Sequence, residues 1–211
     1  MKTYSSGEIA GMDKHFRANF INSISGFKSA NLIGTVNEHG QSNLAIFSSV
    51  IHIGSNPPLV GLIMRPTTVE RHTYDNIIAK RHYTINALPI SMREDGHRTS
   101  AKYSRSESEF DRTNFTEEFS ELDLPYVKES PISFTCEFRS DTLLEINQTR
   151  LIIGEVKEVR TNPTFLGSDG YFDLVEAGIG AISGMDAYHK VSKGSRFTYA
   201  RPDEDITLVS P

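Results

Sequence analysis

Between two apolar runs, residues 30–36 and 41–50, stands the tetrapeptide Asn37-Glu38-His39-Gly40. Glycine takes the positive φ that closes such a loop, so the two runs are predicted to form an antiparallel hairpin. The rest of the chain repeats this pattern of short apolar stretches cut by turn signals. Residues 59–64, Leu-Val-Gly-Leu-Ile-Met, are apolar on both parities and predict a strand buried on both faces. Residues 83–87 predict the next strand and residues 132–138 alternate as another; residues 150–160 predict a longer one, with Gly154 at a bulge or close approach. Gly167-Ser168-Asp169-Gly170 is a further turn. Pro57-Pro58 cannot pair inside a central strand, so residues 51–56 are expected to be an irregular link. In the second strand of the hairpin, Leu44, Ile46 and Val50 share one parity, and Asn43, Ala45, Phe47 and Ser49 the other.

Helical signals are few. Phe16, Phe20, Ile21 and Ile24 fall at helical spacing before Gly26 and predict a short amphipathic helix over one end of the sheet, with Arg17 a solvated charge. Thr67 or Thr68 can cap the approach to a second helix over residues 73–77. Residues 89–120 form a long polar excursion in which Ser106 or Ser108 can cap a short helix carrying Phe110 and Phe115. The stretch 174–202 is glycine-rich, with tyrosines and cations, and residues 203–211 are expected to be loose. No repeat, low-complexity segment or linker divides the chain, so one domain is expected over residues 1–211. Many short strands, few helices and one excursion predict a mainly β fold, a barrel with appended helices.

Several functions are disfavoured by the totals. A net charge of −5, with cations scattered along the chain, speaks against nucleic acid. The single cysteine, Cys136, cannot form an intramolecular disulfide and reads as a buried bystander. No apolar run approaches the roughly 18 residues of a spanning helix, and the N-terminus lacks the apolar core of a signal peptide. A cytoplasmic, unprocessed chain away from membranes is the expectation. The seven histidines form no His-Glu-x-x-His pattern, and the lone cysteine gives no zinc knuckle. Gly178, Gly180 and Gly184 miss the dinucleotide pattern, which needs glycine where Ser183 stands, and no nucleophile elbow is present.

The chemistry left is anion recognition at strand ends. Arg65, Arg71, His72 and Thr73 lie close together in sequence, ahead of helix amides that favour a phosphate, and Ser48 and Ser49 add donors from the neighbouring strand. A solvated loop accounts for the same residues equally well.

The ordered series NLAIFSSV, NPPLVGLIMRP, RHTYDNI, YTIN, HRTSAKYSRSESEFD, PISFTCEF and LIIGEV resembles the flavin reductase-like family of FMN-binding split barrels, over about residues 17–202. The resemblance implies a six-stranded Greek-key split barrel, working as a homodimer with FMN at the subunit interface. It places Asn43, Ala45, Ser48 and Ser49 against the polar edge of the isoalloxazine. Arg71, His72, Thr73 and Asn76, with Arg65 nearby, are placed at the phosphate. The family commonly has Lys-Asp-Thr where this chain has Arg71-His72-Thr73, so His72 stands in place of a carboxylate. Residues near His97, Ser100 and Tyr103 match an excursion that lies over the flavin or the dimer interface; the tail around Gly184, Tyr188 and Arg201 matches more weakly. The implied reaction is hydride transfer from NADH or NADPH to FMN, with electrons passed to oxygen, a partner monooxygenase or another acceptor, and no obligatory catalytic acid or base. Alternatives are a non-enzymatic FMN-binding protein of the same fold, an enzyme resembling pyridoxamine phosphate oxidases, and a structural dimer without ligand.

Overall fold

In the computed structural model, which describes residues 1–209, the predicted hairpin is formed by β2 (Asn31–Val36) and β3 (Ser42–Phe47). Asn37 closes the turn: its N–H donates to Gln41 O at 2.9 Å, its Oδ1 accepts from the Gln41 amide at 3.0 Å, and Gly40 takes a φ of 80°. A two-residue strand, β1 (Lys28–Ser29), precedes the hairpin. After it come β4 (Val50–Ser55), β5 (Pro58–Met64) and β6 (His82–Ala87). A short pair, β7 (Glu117–Phe119) and β8 (Pro125–Val127), leads into the long strands β9 (Ile132–Leu144) and β10 (Thr149–Thr161). β11 (Gly180–Ser183) and β12 (Ala187–Lys190) join β1 in a small sheet. The helices are α1 (Ser6–Ala10), α2 (Lys14–Ile24), α3 (His72–Lys80) and α4 (Arg93–Arg98). No helix among the described residues is long and apolar enough to cross a membrane.

Seven strands form one antiparallel sheet in the order β3-β2-β6-β9-β10-β5-β4. Its two end strands are consecutive in the chain, separated only by Ser48 and Ser49. Three Cα steps reach at most about 11 Å, so the ends of the sheet must meet there and the sheet curls shut. Ile63 N donates to Ser49 O at 3.4 Å, carrying the β5 ladder into the junction. β5 ends at Met64, so β3 has β2 on one side and no strand on the other.

Curling separates two cores. Inside lie Ile33, Leu62, Tyr83, Ile85, Cys136 and Ile152, with Ile77 of α3 buried among them. Outside, Leu32, Leu44, Leu88, Phe115 and Ile182 pack beneath the excursion and β11. Ile46 joins the outer cluster, whereas Phe47 and Val50 both join the inner one. Val50 therefore does not keep the face of Leu44, because the bend at Ser48-Ser49 resets the alternation.

Other expectations are also corrected. Residues 51–56 are not a link: most of them form β4, and Pro57 and Pro58 occupy the turn and the first position of β5, where no ladder amide is needed. α2 forms as predicted but buries no residue, leaving Phe16 58% and Ile24 62% exposed. Arg17 is not merely solvated: its guanidinium donates to Ala10 O at 2.7 Å, closing the end of α1. In the excursion Ser108, not Ser106, caps a 3-10 turn over Glu109–Arg112, and α4 precedes it unannounced. α3 is longer than residues 73–77, and neither Thr67 nor Thr68 caps it. The tail is partly ordered: Thr198 N donates to Thr207 O at 2.9 Å and Val209 N to Arg196 O at 3.0 Å. Ser210 and Pro211 lie outside the described residues. Cys136 is buried as expected, and burial pushes its thiol up to about 12.

Gly154 sits at a register shift between β9 and β10, and a Cβ there would collide with the hydroxyl of the fully buried Tyr83. Gly154→Ala is expected to destabilise the fold by about 1–3 kcal/mol in urea unfolding, and by less in a Tyr83→Phe background. Equal costs in both backgrounds would contradict this close approach.

Candidate functional site

Seven residues separate the end of β5 from the start of α3, and two buried hydrogen bonds tie α3 to the hairpin. Asn43 Nδ2 donates to Thr73 Oγ1 at 3.1 Å, and Asn76 Nδ2 donates to Thr35 Oγ1 at 3.1 Å. Thr35 and Asn43 face each other across β2 and β3, so the four side chains close a polar box. All four are buried. A buried amide or hydroxyl left without its partner costs about 1–3 kcal/mol, so each member requires the others.

The box fixes the first turn of α3. The first helical bond runs from Asp75 N to Arg71 O at 3.0 Å, and Arg71 at the N-cap makes no side-chain cap. Among the described residues, the amides of His72, Thr73 and Tyr74 have no hydrogen-bond acceptor. An uncapped helix start carries partial positive charge and attracts anions. Arg71 is half-buried beside it, its Nε donating to Pro66 O at 3.3 Å, while Arg65 is exposed. His72 Nε2 lies 3.6 Å from Glu70 Oε2. Arg105, from the excursion, reaches across: its Nε donates to Glu70 Oε1 at 2.9 Å and its Nη2 to Asp75 Oδ2 at 2.7 Å. The hydrogen bond from Arg105 holds the Glu70 carboxyl below the usual carboxylate range.

A second contact from the excursion lands on β3. Leu44 N donates to Glu109 Oε2 at 2.8 Å, and Glu109 is only 5% exposed. Burial raises its carboxyl above the ordinary value, and no cation among the described residues pairs with it.

The structure thus brings Asn43, Thr73 and Asn76 together, with Arg71 and His72 at the same helix start. Ala45, Ser48 and Ser49 are half-buried along β3 and the junction, and Ser49 Oγ donates to Ile63 O at 2.9 Å. Ser100 and Tyr103 stand apart in the loop after α4: the Ser100 amide donates to His97 O at 2.9 Å and Tyr103 Oη to Arg98 O at 3.4 Å. His97 Nδ1 lies 3.1 Å from Tyr188 Oη, joining α4 to β12. The sequence reading missed Arg105 and Glu109. Its available signal was Ser108-Glu109-Phe110: a capped turn that seats Phe110 in the outer core carries its acidic neighbour inward too.

The sequence profile of the flavin reductase like domain matches residues 24–173. The chain belongs to the flavin reductase-like family. This flavin reductase-like protein is 44% identical to a candidate flavin reductase with a split barrel domain from Shewanella frigidimarina NCIMB 400, whose structure covers 95% of this chain and is itself covered completely, with a TM-score of 0.91. Component B of nitrilotriacetate monooxygenase from Bacillus cereus shares the fold at 18% identity and a TM-score of 0.80, over 92% of this chain and 97% of that one. An FMN-binding protein from Thermus thermophilus, solved with bound 1-cyclohex-2-enone, shares it at 15% identity and a TM-score of 0.72, over 95% of this chain and 100% of that one. No curated protein sequence matches the chain.

Thr73→Val keeps the shape of Thr73 but removes the acceptor of the Asn43 amide. It is expected to lower unfolding stability by about 1–3 kcal/mol. A change below a few tenths of a kcal/mol would contradict the polar box.

Proposed function

We propose that this chain binds FMN beside β3 and acts as a flavin reductase, taking hydride from NADH or NADPH. The observation that carries this reading is an uncapped helix start, pinned by buried hydrogen bonds next to the open edge of a strand. The donor set fits the cofactor. Three amides without acceptors and the Arg71 guanidinium suit a phosphate dianion, with Arg65 nearby and His72 at the same turn. The edge of β3 from Asn43 through Ala45 to Ser48 and Ser49 suits a flat ring. Asn43, Thr73 and Asn76 act here mainly by holding the cradle in shape, since their side chains are engaged with one another and with Thr35. Ser100 and Tyr103, whose hydrogen bonds stay with α4, enter this reading only through Arg105 of the same loop, which bonds Asp75 of α3.

Bound FMN supplies a ring that accepts hydride and passes electrons on, chemistry that no side chain offers. The chain's own tasks are to neutralise the phosphate, fix the ring edge and exclude water. A partner monooxygenase or another acceptor takes the electrons, a role supported by the fold shared with nitrilotriacetate monooxygenase component B. The expected six-stranded Greek-key split barrel in a single domain is supported by the order of the seven-stranded sheet, in which β3 and β4 can be counted as one bent strand. A homodimer is supported by apolar side chains left uncovered, Phe16 and Phe27 around α2 and Ile51 and Ile53 on β4.

Purified protein with FMN is expected to oxidise NADH or NADPH faster than free flavin does; no acceleration with either nucleotide would overturn the reductase reading. Arg71→Ala is expected to weaken FMN binding about tenfold, the scale of a hydrogen bond to a charged group, and to leave riboflavin unchanged. Equal losses for both flavins would remove Arg71 from the phosphate.

A further inference from the structure

Two carboxylates stand at the start of α3, where the proposed function puts an anion. Glu70 immediately precedes the N-cap residue Arg71, and Asp75 lies in the first turn. For the helix alone such charges are favourable, because a carboxylate complements the positive end of the helix dipole. Toward a phosphate dianion the same two charges are repulsive. The helix start therefore carries a conflict that its uncharged amides do not remove.

Arg105 meets that conflict from another part of the chain. Its Nε donates to Glu70 Oε1 at 2.9 Å and its Nη2 to Asp75 Oδ2 at 2.7 Å, so one guanidinium spans both carboxylates across the first turn. The loop is shaped to send it there. Glu107 N donates to Ser104 O at 3.0 Å, closing a turn with Arg105 at its second position. The Glu107 carboxylate accepts from Ser104 N at 3.2 Å and from Ser104 Oγ at 2.9 Å, and its other oxygen is paired with Arg112. The acidic group nearest to Arg105 in sequence is thus already engaged, and the arginine reaches α3 instead. The side chains of Arg105, Glu70 and Asp75 are 44%, 61% and 41% exposed, and ion pairs so exposed add little stability. Holding the fold together does not account for the clasp.

We infer that Arg105 is a specificity-determining residue: by cancelling one of the two carboxylate charges at the start of α3, it lets the site prefer a phosphate-bearing flavin over uncharged riboflavin. Glu70, Asp75 and Arg105 together carry one negative charge, and without the arginine they carry two. Arg105 acts through this charge while its bonded donors stay on the carboxylates. The inference rests on the proposed FMN site, but it gives the excursion a share in phosphate selection that α3 and Arg71 do not supply.

The test is a binding titration of FMN and riboflavin, at low salt, against the wild type, Arg105→Ala, Arg105→Lys and the triple variant Arg105→Ala/Glu70→Gln/Asp75→Asn. Arg105→Ala is expected to weaken FMN about tenfold, the scale of one charge acting on a dianion through partly exposed surroundings, and to leave riboflavin unchanged. Arg105→Lys keeps the charge and should hold most of the FMN affinity. The triple variant lacks the carboxylate charges as well as the arginine, and should bind FMN at least as tightly as the wild type. At about 1 M salt, where the screening length falls to about 3 Å, the gap between Arg105→Ala and the wild type should close. Unchanged FMN binding by Arg105→Ala, or equal losses for FMN and riboflavin, would overturn this role while leaving Arg71 and the phosphate site standing. A triple variant as weak as Arg105→Ala would overturn it too. A wild type that binds FMN no more tightly than riboflavin would overturn the phosphate site itself and this inference with it.

Discussion

Two serines join the opposite ends of a seven-stranded sheet, and most of the structure depends on how short that joint is. With only Ser48 and Ser49 between β3 and β4, the sheet cannot lie open. Closing it creates an interior that Leu62, Tyr83, Ile85 and Ile152 fill, and an exterior face that the excursion must cover. It also leaves open edges. β5 pairs with β4 and reaches the junction but goes no further, so β3 keeps a free edge, as β4 does on the side away from β5. Free edges invite unwanted strand pairing. Here the β3 edge is partly covered by Glu109.

The polar box converts the free edge of β3 into a defined place. Hydrophobic contacts alone would let α3 slide on the barrel mouth, because apolar burial has no direction. Asn43–Thr73 and Asn76–Thr35 have direction, and each is costly to break once buried. The helix start therefore stands at a fixed distance from the strand edge. Arg105 adds a looser tie, being nearly half exposed and paired with two carboxylates that water also reaches. A rigid box below and a solvent-exposed clasp above suit a site whose ligand must enter and leave.

Much of this fold was legible in the sequence because its signals are local. The Asn37–Gly40 turn, the apolar run of β5, the close approach at Gly154 and the turn at Gly167–Gly170 each rest on residues adjacent in the chain. β4 was hidden because Pro57 and Pro58 look like a break in a strand when they are a turn between two. α4 was hidden because Arg-Glu-Asp-Gly-His-Arg has no apolar period, and its Gly96 is buried against Leu88, a contact made only in three dimensions. The site divides the same way. The ordered motifs pointed to Asn43, Arg71, Thr73 and Asn76, but they could not show that Asn43, Thr73 and Asn76 are engaged in buried side-chain hydrogen bonds. Arg105 lies in a polar stretch with nothing to mark it and Glu109 is marked only by the capped turn at Ser108, so both gain their meaning from the helix and strand they reach.

The central claim is that the free edge of β3 and the uncapped start of α3 together form one flavin site. The most direct measurement is an absorption and fluorescence titration of the purified chain with FMN and with riboflavin. The account predicts that both flavins bind saturably and that FMN binds more tightly, because only FMN carries the phosphate for the α3 amides and Arg71. Flavin spectra unchanged by the protein would contradict it.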